Sequence, residues 1–254
     1  MPETPLLFAI VVAGAALAGL VQGISGFAFS MVALSVWAWA LTPETAAPLA
    51  VFGSLLGQVA SLGSIRGGFA MGKIIPFVLG GLVGVPIGVF VLHNVDPQRF
   101  RLVVGAFLVL YGGHGVFTRR SPSFSWGGRG LDALIGGIGG MMGGLGGMSG
   151  AAPAIWTQLR GWSRDLRRAT MQVYNIAMHC TTLTVYARTG SLDTTALHLF
   201  IVVAPAMLVP SYFGARLYGR FSEQTFSRLI FALLLCSGAA LVFGAARAIW
   251  GLAK

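Results

Sequence analysis

Eight long apolar stretches separated by short polar ones make up most of the chain, at residues 5–41, 44–62, 74–92, 102–118, 131–159, 169–187, 195–218 and 226–252. Each approaches or exceeds the ~20 residues that an α-helix needs to cross a ~30 Å hydrocarbon layer, so the pattern predicts an all-α polytopic membrane protein. Two stretches are interrupted. Gly23-Ile24-Ser25-Gly26 lies inside the first, and Gly147-Met148-Ser149-Gly150 lies inside 131–159. Helix backbone left unpaired at membrane depth is tolerated only where it is buried in protein or lines a polar cavity. These breaks are therefore expected to line a cavity.

The two interrupted stretches head two halves of similar plan, 1–118 and 131–254, joined by a polar segment at 119–130 that contains Arg119-Arg120-Ser121-Pro122-Ser123. After each break comes a short apolar arm and then a helix-start signature, Thr42-Pro43-Glu44 in one half and Ser163-Arg164-Asp165 in the other. Further on, Gly88, Gln98, Phe100 and Gly112 are matched by Gly214, Gln224, Phe226 and Gly238, each 126 positions later.

Basic residues give the relative orientation of the halves. If each broken stretch crossed the membrane once, the two sides would hold nine and eight Lys/Arg, with no bias. If each instead enters and returns as a re-entrant hairpin, three full crossings remain per half. One side then holds Arg66, Lys73, Arg119, Arg120, Arg129, Arg160, Arg164, Arg167, Arg168, Arg216, Arg220 and Arg228. The other keeps Arg99, Arg101, Arg188, Arg247 and Lys254. This is the asymmetry of the positive-inside rule. It predicts two inverted repeats, each a broken helical hairpin plus three transmembrane helices, with 119–130 as a cytoplasmic linker and both termini on the non-cytoplasmic side of the inner membrane. The first apolar stretch has no preceding positive charge and no small-residue cleavage site, so it is expected to be retained structure and not a signal peptide.

Composition agrees with that class: 56% of residues are hydrophobic, 9% are charged and mean hydropathy is +0.80. The net charge of +10 is scattered over short loops and forms no long basic tract, which speaks against a nucleic-acid partner. Cys180 and Cys236 are isolated in apolar stretches, where they are expected to be packing residues; neither a metal site nor a cofactor is implied.

The motifs Val21-Gln22-Gly23-Ile24-Ser25-Gly26-Phe27 and Gly143-Gly144-Leu145-Gly146-Gly147-Met148-Ser149-Gly150-Ala151-Ala152-Pro153, with Arg164-Asp165-Leu166-Arg167-Arg168-Ala169-Thr170 after the second, resemble the sulfite exporter TauE/SafE family. The likeness covers nearly the whole chain. It implies an integral inner-membrane transporter of sulfite, sulfonates or related sulfur-containing anions. Phe27, Ala28 and Phe29 stand where related proteins often carry further glycines, which is expected to narrow the cavity.

The residues suggest how an anion would be held. A half-helix starting after a break presents unpaired N–H groups and the positive end of its dipole, and glycine lets the backbone approach. Candidate substrate-binding residues are Gln22, Gly23, Ser25, Gly26 and Phe27 at the first break, with Gly147, Ser149 and Gly150 at the second. The glycines at 136–146 have small-xxx-small spacing and are expected to serve helix packing. Gln172, Asn175, His179 and Thr182 share one face of a later helix, as do Ser54, Gln58 and Ser61 in the first half. Of these, Gln58, Asn175 and His179 are taken as substrate contacts, and His114 as interfacial.

All seven acids fall at the ends of stretches or in loops, so no mid-membrane carboxylate is expected to hold sodium or relay protons. Export driven by the membrane potential follows, with His179 as the titrating group if a proton is coupled. Two other readings use the same residues. An intramembrane serine protease would use Ser149 as nucleophile and His179 as base, but the first copy of the motif has no histidine partner. A passive anion channel would differ in showing no saturation. The expected partners are a small anion and the lipid bilayer, with a homodimer left open.

Overall fold

A computed structural model describes residues 5–62, 70–117, 126–217 and 223–251. Arg66, Arg119 to Ser123, Arg220 and Lys254 lie outside the described residues, as do the side chains of Gln224 and Phe226. Among the described residues there are ten helices and no strand: α1 Pro5–Ser25, α2 Phe29–Trp37, α3 Pro43–Ala60, α4 Met71–Asn94, α5 Pro97–Phe117, α6 Arg129–Gly146, α7 Ala151–Leu159, α8 Arg164–Arg188, α9 Thr194–Leu217 and α10 Glu223–Gly251. Five of them (α1, α4, α5, α9 and α10) are long and apolar enough to cross a membrane. The chain is an all-α, multi-pass membrane protein.

Local chemistry explains where the helices stop and start. Thr42 precedes α3 with Pro43 in its first turn. The Ser163 hydroxyl accepts the Leu166 N–H at 3.4 Å at the start of α8. The two breaks are built alike: α1 ends before Gly26 at φ 84°, and α6 ends before Gly147 at φ 78°. This left-handed conformation favours glycine, because a Cβ would crowd the following carbonyl.

After each break the chain folds back along the helix it has just left. The Trp37 indole at the end of α2 donates to the Val11 carbonyl at 3.2 Å, and the Trp156 indole of α7 donates to Asp132 Oδ1 at 2.7 Å. Val11 and Asp132 are 121 positions apart, and so are Gly26 and Gly147. The chain therefore makes a helical hairpin at each break, in a register of 121 where the repeated motif reads 124. As a result Ser25 ends α1 before its break, whereas Ser149 follows the break in the other half.

Helix packing is reciprocal between the halves. α1 packs on α9 and α6 on α4, while α5 packs on α10 and α3 on α8. Glycines set the close approaches. A Cβ on Gly19 would lie 2.3 Å from the Met207 carbonyl, and one on Gly140 would lie 2.2 Å from that of Gly81. Gly23 meets Ser211 as Gly144 meets Val85, and Gly214 meets Leu20 as Gly88 meets Met141. Each such pair is displaced by 121 on α1/α6 and by 126 on α4/α9. The glycines of α6 thus serve packing, as expected.

The hairpin bases sit at opposite ends of α4, a helix about 36 Å long at 1.5 Å per residue. The α1–α2 base is held by Arg101, near the start of α5 just beyond the end of α4. Its Nε donates to the Ala38 carbonyl at 2.7 Å and its Nη2 to that of Trp39 at 3.1 Å. The α6–α7 base carries Arg160, which pairs with Asp132 at 3.3 Å. Arg160 also lies over Trp162, as does Lys73 from the first turn of α4. Asp132 is at a helix end as expected, but it is buried, as the anchor of a hairpin.

Between the hairpins run α3 and α8, whose polar faces are turned inward. Ser54, Gln58, Gln172, Asn175, His179 and Thr182 are all buried. One expectation fails: Cys180 and Cys236 are exposed on the helix surfaces and are not packing residues, because they occupy the outward faces of α8 and α10.

Candidate functional site

The two breaks meet. Ser30, in the first turn of α2, donates its hydroxyl to the Gly147 carbonyl at 2.6 Å and lies 2.8 Å from the Ser54 hydroxyl of α3. In the other half Ser149 donates to Asn175 Oδ1 of α8 at 3.0 Å. Ser54 and Asn175 are again 121 positions apart. Each half-helix is thus tied by a serine hydroxyl to the polar helix beside it, by Ser30 in one half and Ser149 in the other. Ser30 lies outside the repeated glycine-serine motif, and the register of 121 sets it opposite Ala151 and not Ser149; its hydrogen bonds to Gly147 and Ser54 alone pick it out.

The candidate residues of the first break have distinct surroundings. Gln22 is buried with both ends of its amide engaged: Nε2 donates to the Gly26 carbonyl at 3.0 Å, and Oε1 accepts the Phe29 N–H at 3.1 Å. It braces the break and satisfies a leading N–H group of α2. Ser25 Oγ accepts from the N–H groups of Phe27 and Ala28 at 3.4 and 3.3 Å, which leaves its own proton directed away from them. Gly23 is in close contact with α9, and a Cβ there would lie 2.0 Å from the Ser211 carbonyl. Gly26 has nothing within 4 Å of its Cβ direction, so its backbone is open to the cavity described next.

A cavity of about 1000 Å³ reaches the first break. Its inner wall includes Ser25, Gly26, Phe27, Gln58 and Asn175, and its outer part includes Arg164, Arg167 and Arg168 of α8, with His114 and Tyr111 of α5. No carboxylate is among the described residues that line it. His114, in the last turn of α5 as its place near a stretch end leads one to expect, also contributes to this wall. The Arg167 Nε is buried without a hydrogen-bond partner among the described residues, and so is the Oε1 of Gln58. Gln172 donates from Nε2 to the Gln58 carbonyl and joins α8 to α3 in the same wall.

Beyond this cavity lies a second, tight space between the breaks, bordered by Ser30, Gly147, Gly150 and His179, with Phe27, Met31 and Asn175 shared with the larger cavity. It has no room for a water molecule. Gly150 makes a close approach there, since a Cβ would lie 2.9 Å from the Asn175 amide. Phe27 borders both spaces. The His179 Nδ1 is buried without a partner among the described residues. The Ser149 hydroxyl points to Asn175, and no hydrogen bond joins it to His179.

Both breaks and the polar face of α8 are thus legible in the sequence, whereas Ser30, Arg167 and Gln172 come to this region only in the structure. In the sequence Arg164, Arg167 and Arg168 figure as topology charges and as part of the family-like motif, not as site residues; their spacing at the start of a helix that also carries Gln172 and Asn175 is the available signal. Chemically, the arrangement offers hydroxyl, amide and guanidinium donors to an anion, with no carboxylate among the described lining residues to oppose it.

The model of the sulfite exporter TauE/SafE family matches residues 11–241. No curated protein and no solved structure matches the chain.

Proposed function

This chain belongs to the sulfite exporter TauE/SafE family of membrane transporters, and we propose that it exports sulfite, an organosulfonate or a related small sulfur-containing anion across the inner membrane by alternating access. The observation that carries this reading is the carboxylate-free, arginine-flanked cavity that ends where two helix breaks meet. Arginine guanidiniums at the mouth attract the anion, and Asn175, Gln58 and Ser25 offer hydrogen-bond donors further in. The tight space between the breaks separates this cavity from the opposite face.

Reciprocal helix packing and hairpin bases at opposite ends of α4 support an inverted repeat, with units at 1–118 and 131–254. In that arrangement the arginine-rich mouth faces the cytoplasm, and both termini lie on the other side. An anion leaving a negative cytoplasm gains about 2.3 kcal/mol per charge per 100 mV, so no coupling carboxylate is needed. The serine-protease reading loses support, because Ser149 is paired with Asn175 and the space around it admits no peptide.

Thermal unfolding of the purified protein in sulfite, sulfate, thiosulfate, taurine and sulfoacetate tests the substrate class. At least one of these should raise the apparent melting temperature in a concentration-dependent, saturable way. Equal shifts with chloride would remove the claim of a sulfur-anion site.

A further inference from the structure

The open cavity has a closed counterpart, and the geometry points to it as the second half of the translocation path. This inference rests on the carrier reading above. The glycine contacts of α1 with α9 reappear in α6 with α4, position for position. These two helix pairs therefore act as equivalent rigid units, and what one half does around its break the other half is built to do. Carrying each cavity residue across to its counterpart gives a definite set of positions. Gln58 of α3 and Ser61 just after it become His179 and Thr182 of α8; Ser211 and Ala215 of α9 become Val85 and Val89 of α4.

In this structure that second set is shut. Thr182 and Val85 are fully buried, and Val89 and His179 are almost so. The polar members nonetheless lack hydrogen bonds: His179 Nδ1 and Thr182 Oγ1 are buried without partners among the described residues. Buried polar atoms without partners are costly and uncommon, and here two of them lie one turn apart on one face of α8, leading away from the tight space between the breaks. Filling that path with water and anion in the other conformation would satisfy them. The positions also run toward the end of α8 that lies opposite Arg164, since His93, at the far end of α4, meets Ser191 just beyond α8 at 2.7 Å.

The two halves of the path differ in charge. Arg164, Arg167 and Arg168 line the open cavity, whereas their counterparts are Pro43, Ala46 and Ala47, all of them buried. The anion is thus gathered by cations on one face and released along a neutral, hydroxyl- and imidazole-lined route on the other. Such a path favours capture from the arginine side at low anion concentration without retaining the anion at the exit.

Single cysteines read this directly. In a protein carrying Cys180→Ser and Cys236→Ser, the substitutions Ser61→Cys and Ser211→Cys mark the open cavity, and Thr182→Cys and Val85→Cys mark its counterpart. Each is treated with a membrane-impermeant maleimide in sealed vesicles of both orientations. Ser61→Cys and Ser211→Cys should react in one orientation, and Thr182→Cys and Val85→Cys in the other. Reaction of the second pair from the same face as the first, or from neither face, would overturn the inference. Two closed-side variants guard against one failing to fold. The labelling does not depend on the cargo: face-exchanged labelling with no sulfur-anion flux would retain this path and reject the substrate class proposed above.

Discussion

Ser30 and Gly147 belong to different halves of the chain, yet the hydroxyl of one donates to the carbonyl of the other at 2.6 Å. This bond joins the first turn of α2 to the left-handed glycine that ends α6. Ser30→Ala would leave a buried carbonyl without its donor and Ser54 without its neighbour, a loss of about 1–3 kcal/mol. Thermal unfolding in detergent should show a clearly lowered melting temperature for Ser30→Ala and a smaller change for Ser30→Thr. An unaltered melting temperature would mean that the bond does not hold the breaks together.

The two left-handed glycines give a graded test. Gly26→Ala meets no neighbouring atom, so it carries only the backbone penalty of roughly 1–2 kcal/mol. Gly147→Ala adds contacts at 3.2 Å to Ser30 Oγ and to the Cα of Val51. Gly147→Ala should therefore be the more destabilising of the pair, and Gly26→Asn milder than Gly26→Ala, since asparagine tolerates this conformation better. Equilibrium unfolding of the three variants would rank them.

The base of the α6–α7 hairpin depends on Asp132, which takes the Trp156 indole at 2.7 Å and the Arg160 guanidinium at 3.3 Å. Its side chain is 6% exposed and that of Arg160 is 16% exposed, so the pair is mostly out of water. Removing one partner of such a pair costs roughly 3–5 kcal/mol, because the other charge is left uncompensated. Asp132→Ala should lower the yield of folded protein on size-exclusion chromatography. Asp132→Asn keeps an acceptor for Trp156 and should recover part of it.

Arg167 should act on substrate capture more than on turnover. Loss of a charge-assisted contact of about 1.4 kcal/mol corresponds to roughly a tenfold change in affinity. Arg167→Ala should therefore raise the KM of sulfite flux by roughly that factor with little change in kcat, and Arg167→Lys should restore part of it. A fall in kcat at constant KM would place Arg167 in the conformational step instead.

Much of this was legible in the sequence, for physical reasons that can be named. Long apolar stretches can only be membrane helices or a large buried core. The Gly-x-Ser-Gly motif recurs in mid-stretch in both halves, and that recurrence marks the breaks at Gly26 and Gly147 among the many glycines that only pack helices. The correspondence between the halves was less secure, since the matching of Gly-x-Ser-Gly copies follows identity of residues, whereas packing follows the positions of Gly19, Gly23, Gly140 and Gly144 on the helix faces. The motif sets Ser25 opposite Ser149, whereas the packing register sets Ala28 there, and the hydroxyl that ties the first half-helix to its neighbour is that of Ser30, two positions further on. Gln22 could not be told from a ligand by sequence, because its role is set by the return of Phe29 to within 3.1 Å after a turn that only the structure defines. The arginines at the start of α8 had an adequate explanation as topology charges, and that hid their second position in the wall of the cavity.

Efflux of radiolabelled sulfite from proteoliposomes at imposed membrane potentials tests the central claim most directly. Efflux should be saturable, should accelerate as the interior on the arginine-rich side is made more negative, and should be strongly reduced by Asn175→Ala. Efflux equal to that of protein-free liposomes, or indifferent to potential and dependent only on a proton gradient, would contradict it.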